Sequence, residues 1–145
     1  MKFGSLGRVC LMALGSLLIV SGALGVVARA QIAVKAMTIT ITVVPRAGAG
    51  GPEETEVIPG KVTGEDPSHV RVVVYAFAGG NWWVQPTTAE PLTDVNDTGE
   101  WTTETHLGTS YTALLVKPSY RPRNVLAQLP PVGGEVIAVD RKAGK

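Results

Sequence analysis

With 145 residues, 13 basic against 12 acidic side chains and a net charge of +1, the chain has room for one ordinary domain and no charge excess with which to hold nucleic acid. Its single cysteine, Cys10, excludes an internal disulfide framework and any cysteine-based metal cluster.

Lys2 and Arg8 open the chain, residues 9–27 carry no charge, and Ala28-Arg29-Ala30 sets small residues at the two positions a signal peptidase inspects. Residues 1–30 therefore read as a signal peptide that is cleaved before Gln31. The alternative is a membrane anchor over residues 9–28, because the apolar run exceeds the usual signal core of about 7–15 residues. Gly15, Ser16, Ser21, Gly22 and Gly25 argue against it, since they lower helix propensity and hydrophobicity inside the run. Cys10 sits beside Arg8 at the very start of the apolar run, whereas a lipidated cysteine follows one, so it leaves with the peptide. Loss of Lys2, Arg8 and Arg29 leaves ten basic residues against 12 acidic ones, a net charge near −2. The expected location is secreted or periplasmic, with membrane contact only through the N-terminal segment if it stays uncleaved.

Residues 37–44 alternate strictly, with Met37, Ile39, Ile41 and Val43 on one side and Thr38, Thr40 and Thr42 on the other, which predicts a half-buried strand. Pro45, Gly48, Gly50, Gly51 and Pro52 then forbid regular structure, so residues 31–55 form an N-terminal strand and a breaker-rich loop. A second strand is expected over 56–63, with Pro59 marking an edge position or a bulge. Residues 64–68 make the next turn. In 70–77, Val70, Val72, Val74 and Ala76 share one face while Val73, Tyr75 and Phe77 share the other, the two-sided apolarity of a central strand.

Gly79-Gly80-Asn81 predicts a hairpin turn into Trp82-Trp83-Val84-Gln85, followed by an irregular stretch over 86–91. Asp94, Asn96, Asp97 and Gly99 form a turn before a strand at 100–105, and Leu107-Gly108-Thr109 turns the chain into a buried strand at 111–116. Pro118, Pro122, Pro130 and Pro131 impose an extended excursion in which 124–129 is available for pairing. A last strand is expected at 135–139, and 141–145 reads as a polar tail. The fold class is thus all-β, a sandwich of about seven strands whose core spans 56–140, behind an N-terminal hydrophobic helix.

The succession Gly60-Lys61-Val62, Val72-Val73-Val74-Tyr75-Ala76, Asp94 to Trp101, then Gly108-Thr109-Ser110-Tyr111 and Tyr120-Arg121-Pro122 resembles the carboxypeptidase-regulatory-like, transthyretin-like (immunoglobulin-like) β-sandwich module of bacterial exported proteins. The resemblance spans 57–139 and implies a prealbumin-like sandwich. The inserted stretch 79–92 departs from that pattern. Within it, Trp82 to Pro86 resembles accessory modules of bacterial extracellular proteins, some of them attached to carbohydrate-active domains.

Adjacent residues on a strand point to opposite faces, so one of Trp82 and Trp83 is expected inside and the other outside. With Trp101 and Tyr120 close by, the outer indole would form a platform for a sugar ring; without them it is covered by the 86–91 loop or a neighbouring domain or subunit. Asp94, Asn96 and Asp97 hold oxygen ligands in the manner of a calcium loop but lack its alternating spacing and terminal bidentate glutamate, which favours a plain Asx and glycine turn. His69 and His106 have no partner at metal-binding spacing and read as surface polar residues, and neither pairs visibly with a nucleophile. Glu100 and Glu104 share a strand face without an implied pocket. Tyr111 stands where a tyrosine corner locks a sandwich edge.

No cofactor is expected. The functional expectation is a non-enzymatic exported module that binds a polysaccharide or another exported protein; the alternative to a general interaction role is carbohydrate binding through a surface tryptophan.

Overall fold

The structure, a computed structural model, describes residues 35–64 and 66–145. The segment read as a signal peptide or anchor lies outside the described residues. Among the described residues no helix is long and apolar enough to cross a membrane.

Among the described residues, nine strands build two antiparallel sheets. The smaller contains β1 (Thr38–Ile41), β2 (Thr55–Thr63) and β6 (Glu100–His106) in the order β1-β2-β6. The larger contains β3 (Arg71–Ala78), β4 (Asn81–Gln85), β7 (Ser110–Val116), β8 (Val125–Leu126) and β9 (Val136–Ala143) in the order β8-β4-β3-β7-β9, with the two-residue β5 (Thr93–Asp94) also pairing with β3. A 3₁₀ turn, Pro67–His69, leads from the small sheet to the large one. The architecture is all-β and sandwich-like, since the inward residues of both sheets meet in one core.

That core follows from the period of two. Ile39, Ile41, Ile58, Val62 and Trp101 from the small sheet pack against Val72, Val74, Ala76, Tyr111, Ala113 and Leu115 from the large one. The alternate residues of β3 and β7 face the other way, yet they are equally dry: Val73, Tyr75 and Leu114 are fully buried in a second cluster with Trp82 and Val84. Tyr120, Leu126 and Leu129 from the proline-rich excursion roof this cluster, and the Tyr75 hydroxyl donates to the Arg123 carbonyl at 2.9 Å. Burial of each large side chain is worth about 1.5–3 kcal/mol, so an irregular segment with four prolines is held down by what it covers.

Burial pushes the phenol of Tyr75 far above the usual tyrosine range and raises those of Tyr111 and Tyr120. Unfolded tyrosines ionise near pH 10, whereas the folded chain keeps these protons to higher pH. Their contribution to stability is therefore fully present below about pH 10 and is lost as pH rises above it. These are all three tyrosines of the protein. Tyrosinate absorbance is expected to appear in one cooperative step together with loss of the native tryptophan fluorescence; phenols that titrate near pH 10 while the fold persists would contradict it.

Four features depart from the sequence-based expectation. β1 ends at Ile41, and Val43 is 51% exposed because the chain bends after Ile41 and sends the buried Pro45 inward instead. Pro59 lies on neither an edge strand nor a bulge but within β2, the middle strand of the small sheet. Its carbonyl accepts from Thr42 N–H at 3.0 Å, but proline has no N–H to return, and regular β1 pairing stops there. Residues 141–143 are not a tail, since β9 runs through Ala143 and pairs with Ser110–Thr112 at the sheet edge. The two-residue strand β5 stands where irregular chain and a turn were expected, whereas β8 falls within the stretch 124–129 read as available for pairing.

One side of the sandwich is sewn shut. Ile41 N–H donates to Asp140 Oδ2 at 2.8 Å, Ala47 N–H to the Lys145 carbonyl at 2.8 Å, and Lys145 N–H to the Pro45 carbonyl at 3.1 Å. On the opposite side, among the described residues, β6 and β4 are hydrogen-bonded through Gln85 and His106, and the cleft described next lies there.

Candidate functional site

The hairpin between β3 and β4 sets Trp83 across from Ala76, with Gly79 and Gly80 at φ 59° and 83° supplying the tight turn. Cross-strand partners share a face, so Trp83 points to the same side as Ala76, whose side chain is in the inter-sheet core. β4 lies towards the margin of the large sheet, however, and Trp83 remains 46% exposed. Its partner in β8, Val125, is 40% exposed on the same face. The indole N–H donates to the Ala78 carbonyl at 2.9 Å, which fixes the ring and spends its only donor.

Below the ring runs a cleft of about 490 Å³. Buried Ala76, Gln85 and Leu107 form its floor, while exposed Gly50, Gly51, Pro52, Thr87, Thr88 and Trp83 form the rim. Gln85 is 3% exposed and is the polar centre. Its Oε1 accepts from the backbone N–H and from the ring Nδ1 of His106, both at 2.9 Å, and its Nε2 donates to the Trp83 carbonyl at 3.2 Å. Because a backbone N–H only donates, the atom facing His106 is the amide oxygen, and the ring Nδ1 must carry hydrogen. The Nε2 lone pair of neutral His106 is thereby left as an acceptor.

The four aromatic residues singled out in the sequence do not come together. Trp83 is on the cleft rim, whereas Trp82 is 4% exposed on the other face of the large sheet, tilted against Phe77 and covered by the Arg141 guanidinium 4.7 Å from its ring centre. Trp101 is 3% exposed in the inter-sheet core, and Tyr120 belongs to the cluster around Tyr75. A multi-ring platform is therefore corrected to a single exposed indole, because strand alternation and two separate cores divide the rings.

Asn96 and Asp97 are held in a turn, whereas Asp94, expected in that turn, ends the short strand β5 beside Arg71. Asn96 Oδ1 accepts from Thr98 N–H, Thr98 Oγ1 and Glu100 N–H at 3.1, 2.8 and 2.8 Å, and the Asp94 carboxylate pairs with Arg71 Nε at 2.9 Å. Among the described residues there is no group of three or more histidine, cysteine, aspartate or glutamate residues able to hold a metal ion. Asp66, Ser68 and His69 are the residue types of a hydrolytic triad, but Ser68 Oγ donates to Asp66 Oδ1 at 2.6 Å and His69 uses Nδ1 towards both neighbours. The Ser68 hydrogen bond, then His69, holds the Asp66 carboxyl below the usual carboxylate range. No base faces the serine hydroxyl across Nε2, so the cluster locks the 3₁₀ turn.

Gln85 and His106 were not legible as a pair, and His106 is half-buried rather than a plain surface residue. The one available signal was that Gln85 stands two positions after Trp83 and so shares its face. Comparison of the chain with protein-family models, characterised proteins and solved structures finds no match.

Proposed function

We propose that this chain is a non-enzymatic binding module whose ligand enters the cleft under Trp83, carried on an exported sandwich of immunoglobulin-like or transthyretin-like type. The observation that carries the reading is a half-exposed indole, immobilised through its own N–H, above an apolar floor with the Gln85–His106 pair at its centre. A rigid aromatic with few polar groups aimed at the same space is the common make-up of a binding cleft. Export is supported by the charge and small-residue pattern of residues 1–30, and the sandwich type by the order of motifs from Gly60 to Tyr120.

Carbohydrate is the second reading, and it rests on Trp83 alone, because Trp82, Trp101 and Tyr120 lie elsewhere and the expected multi-ring platform is lost. It is favoured by the free face of Trp83 and by the Thr87 and Thr88 hydroxyls on the same rim, which suit a ring with an apolar face and polar edge. Titration of the protein with soluble polysaccharides and with proline-rich and apolar peptides, followed by tryptophan fluorescence, tests both readings. Trp82 and Trp101 are buried, so a ligand-dependent change is expected to come from Trp83 and to vanish in Trp83→Ala. That substitution is expected to change stability by no more than about 1 kcal/mol, because the ring is half in water. Binding that persists unchanged in folded Trp83→Ala would remove the cleft as the site, and a response to polysaccharide alone would select the carbohydrate reading.

A further inference from the structure

β6 has one bonded edge and one open edge. Val62 N–H donates to the Gly99 carbonyl, and Pro59 turns its carbonyl to Thr42, so Ile58, Gly60 and Val62 direct their main chain towards β6. Their register partners Trp101 and Thr103 point back, and the backbone groups of Thr102 and Glu104 therefore point away from β2. Both ends of the open edge are closed: Asn96 pairs with Glu100 through a backbone N–H and its side-chain oxygen, and Gln85 Oε1 takes the His106 N–H. Between these caps, the N–H and C=O of Thr102 and Glu104 make no hydrogen bond among the described residues, and both residues are exposed.

A row of free main-chain donors and acceptors is a template for another strand. Charge selects which one. Glu100 and Glu104 are exposed along this edge, so pairing with β6 of a second copy would set carboxylates against carboxylates. Lys61, beside Glu100 on β2, is the one cation next to this stretch in the sheet register.

We propose that the open edge of β6 accepts an extended, lysine- or arginine-bearing segment of another protein by strand addition, with its main chain on Thr102 and Glu104 and its cations beside Glu100 and Glu104. The open edge ends at His106, whose N–H meets Gln85 of the Trp83 cleft, but Thr102 and Glu104 do not line that cleft, and neither reading depends on the other.

The test uses the full chain and a labelled synthetic peptide of alternating lysine and valine. Fluorescence anisotropy is expected to show salt-sensitive binding, with amide exchange slowed at Thr102 and Glu104 and unchanged at Thr103. A peptide of alternating glutamate and valine, and the lysine peptide N-methylated at alternate residues, are expected to fail. Glu104→Pro removes one open-edge donor without touching the ladder to β2 and should weaken binding about tenfold or more, the scale of one lost hydrogen bond. Glu100→Gln with Glu104→Gln should weaken it and abolish the salt dependence. Equal binding of the N-methylated or acidic peptide, no binding of the lysine peptide, or a wild-type dimer that Glu104→Pro dissolves would each overturn the proposal; the first two readouts need no variant to fold.

Discussion

Gly60→Ala is expected to cost about 3 kcal/mol or more and to leave little folded protein at physiological temperature. Gly60 lies inward on β2, directly across from Trp101 on β6. A Cβ at this position would fall 2.1 Å from Trp101 Cζ2 and 2.4 Å from the Thr40 carbonyl oxygen. Neither neighbour can retreat, because the indole is 3% exposed within the core and the carbonyl belongs to β1. Glycine is needed here for space, since an indole packed over a strand glycine fills the volume that a side chain would otherwise occupy. Chemical denaturation of Gly60→Ala, Trp101→Leu and the double variant checks the cause. The double variant should be more stable than the sum of the single losses predicts, with incomplete recovery because the Thr40 carbonyl stays in place. A Gly60→Ala protein as stable as the parent would show that the indole does not lie over Gly60.

Tyr111→Phe is expected to cost roughly 3 kcal/mol through one oxygen atom. The hydroxyl donates to the Arg46 carbonyl at 2.6 Å and accepts from Gly108 N–H at 3.0 Å, joining the loop after β1 to the turn before β7. Phenylalanine keeps the buried ring but leaves the Gly108 N–H without its partner inside the protein. For a domain of this size the loss corresponds to a melting point lower by about 10–20 °C. The denaturation midpoint should fall with an unchanged slope, whereas Tyr120→Phe, on a half-buried residue, should move it much less. Equal midpoints for Tyr111→Phe and the parent would reduce the tyrosine corner to packing alone.

Strand alternation was readable because a period of two survives without any tertiary information. The two faces of β3 separate into the inter-sheet core and the outer cluster as Val72, Val74 and Ala76 against Val73 and Tyr75. The turns at Gly79-Gly80 and at Asn96 to Gly99 were readable for a similar local reason, since they use residues that accept positive φ or cap their own backbone. The division of labour between Trp82 and Trp83 was legible as an alternation but not as an assignment. Which indole is dry depends on what lies over each face, and residues distant in the chain supply that cover.

The same distinction runs through the candidate sites. Residue order was sufficient for an all-β chain with its turns in place, because those signals are carried by neighbours and by hydrophobic period. The pairing of Gln85 with His106, the indole over Gly60, the proline that ends β1 and the unpaired main chain of Thr102 and Glu104 arise only when strands far apart in sequence are set side by side. Each depends on register and on which sheet edge is left uncovered, and those are properties of packing energy summed over the whole fold.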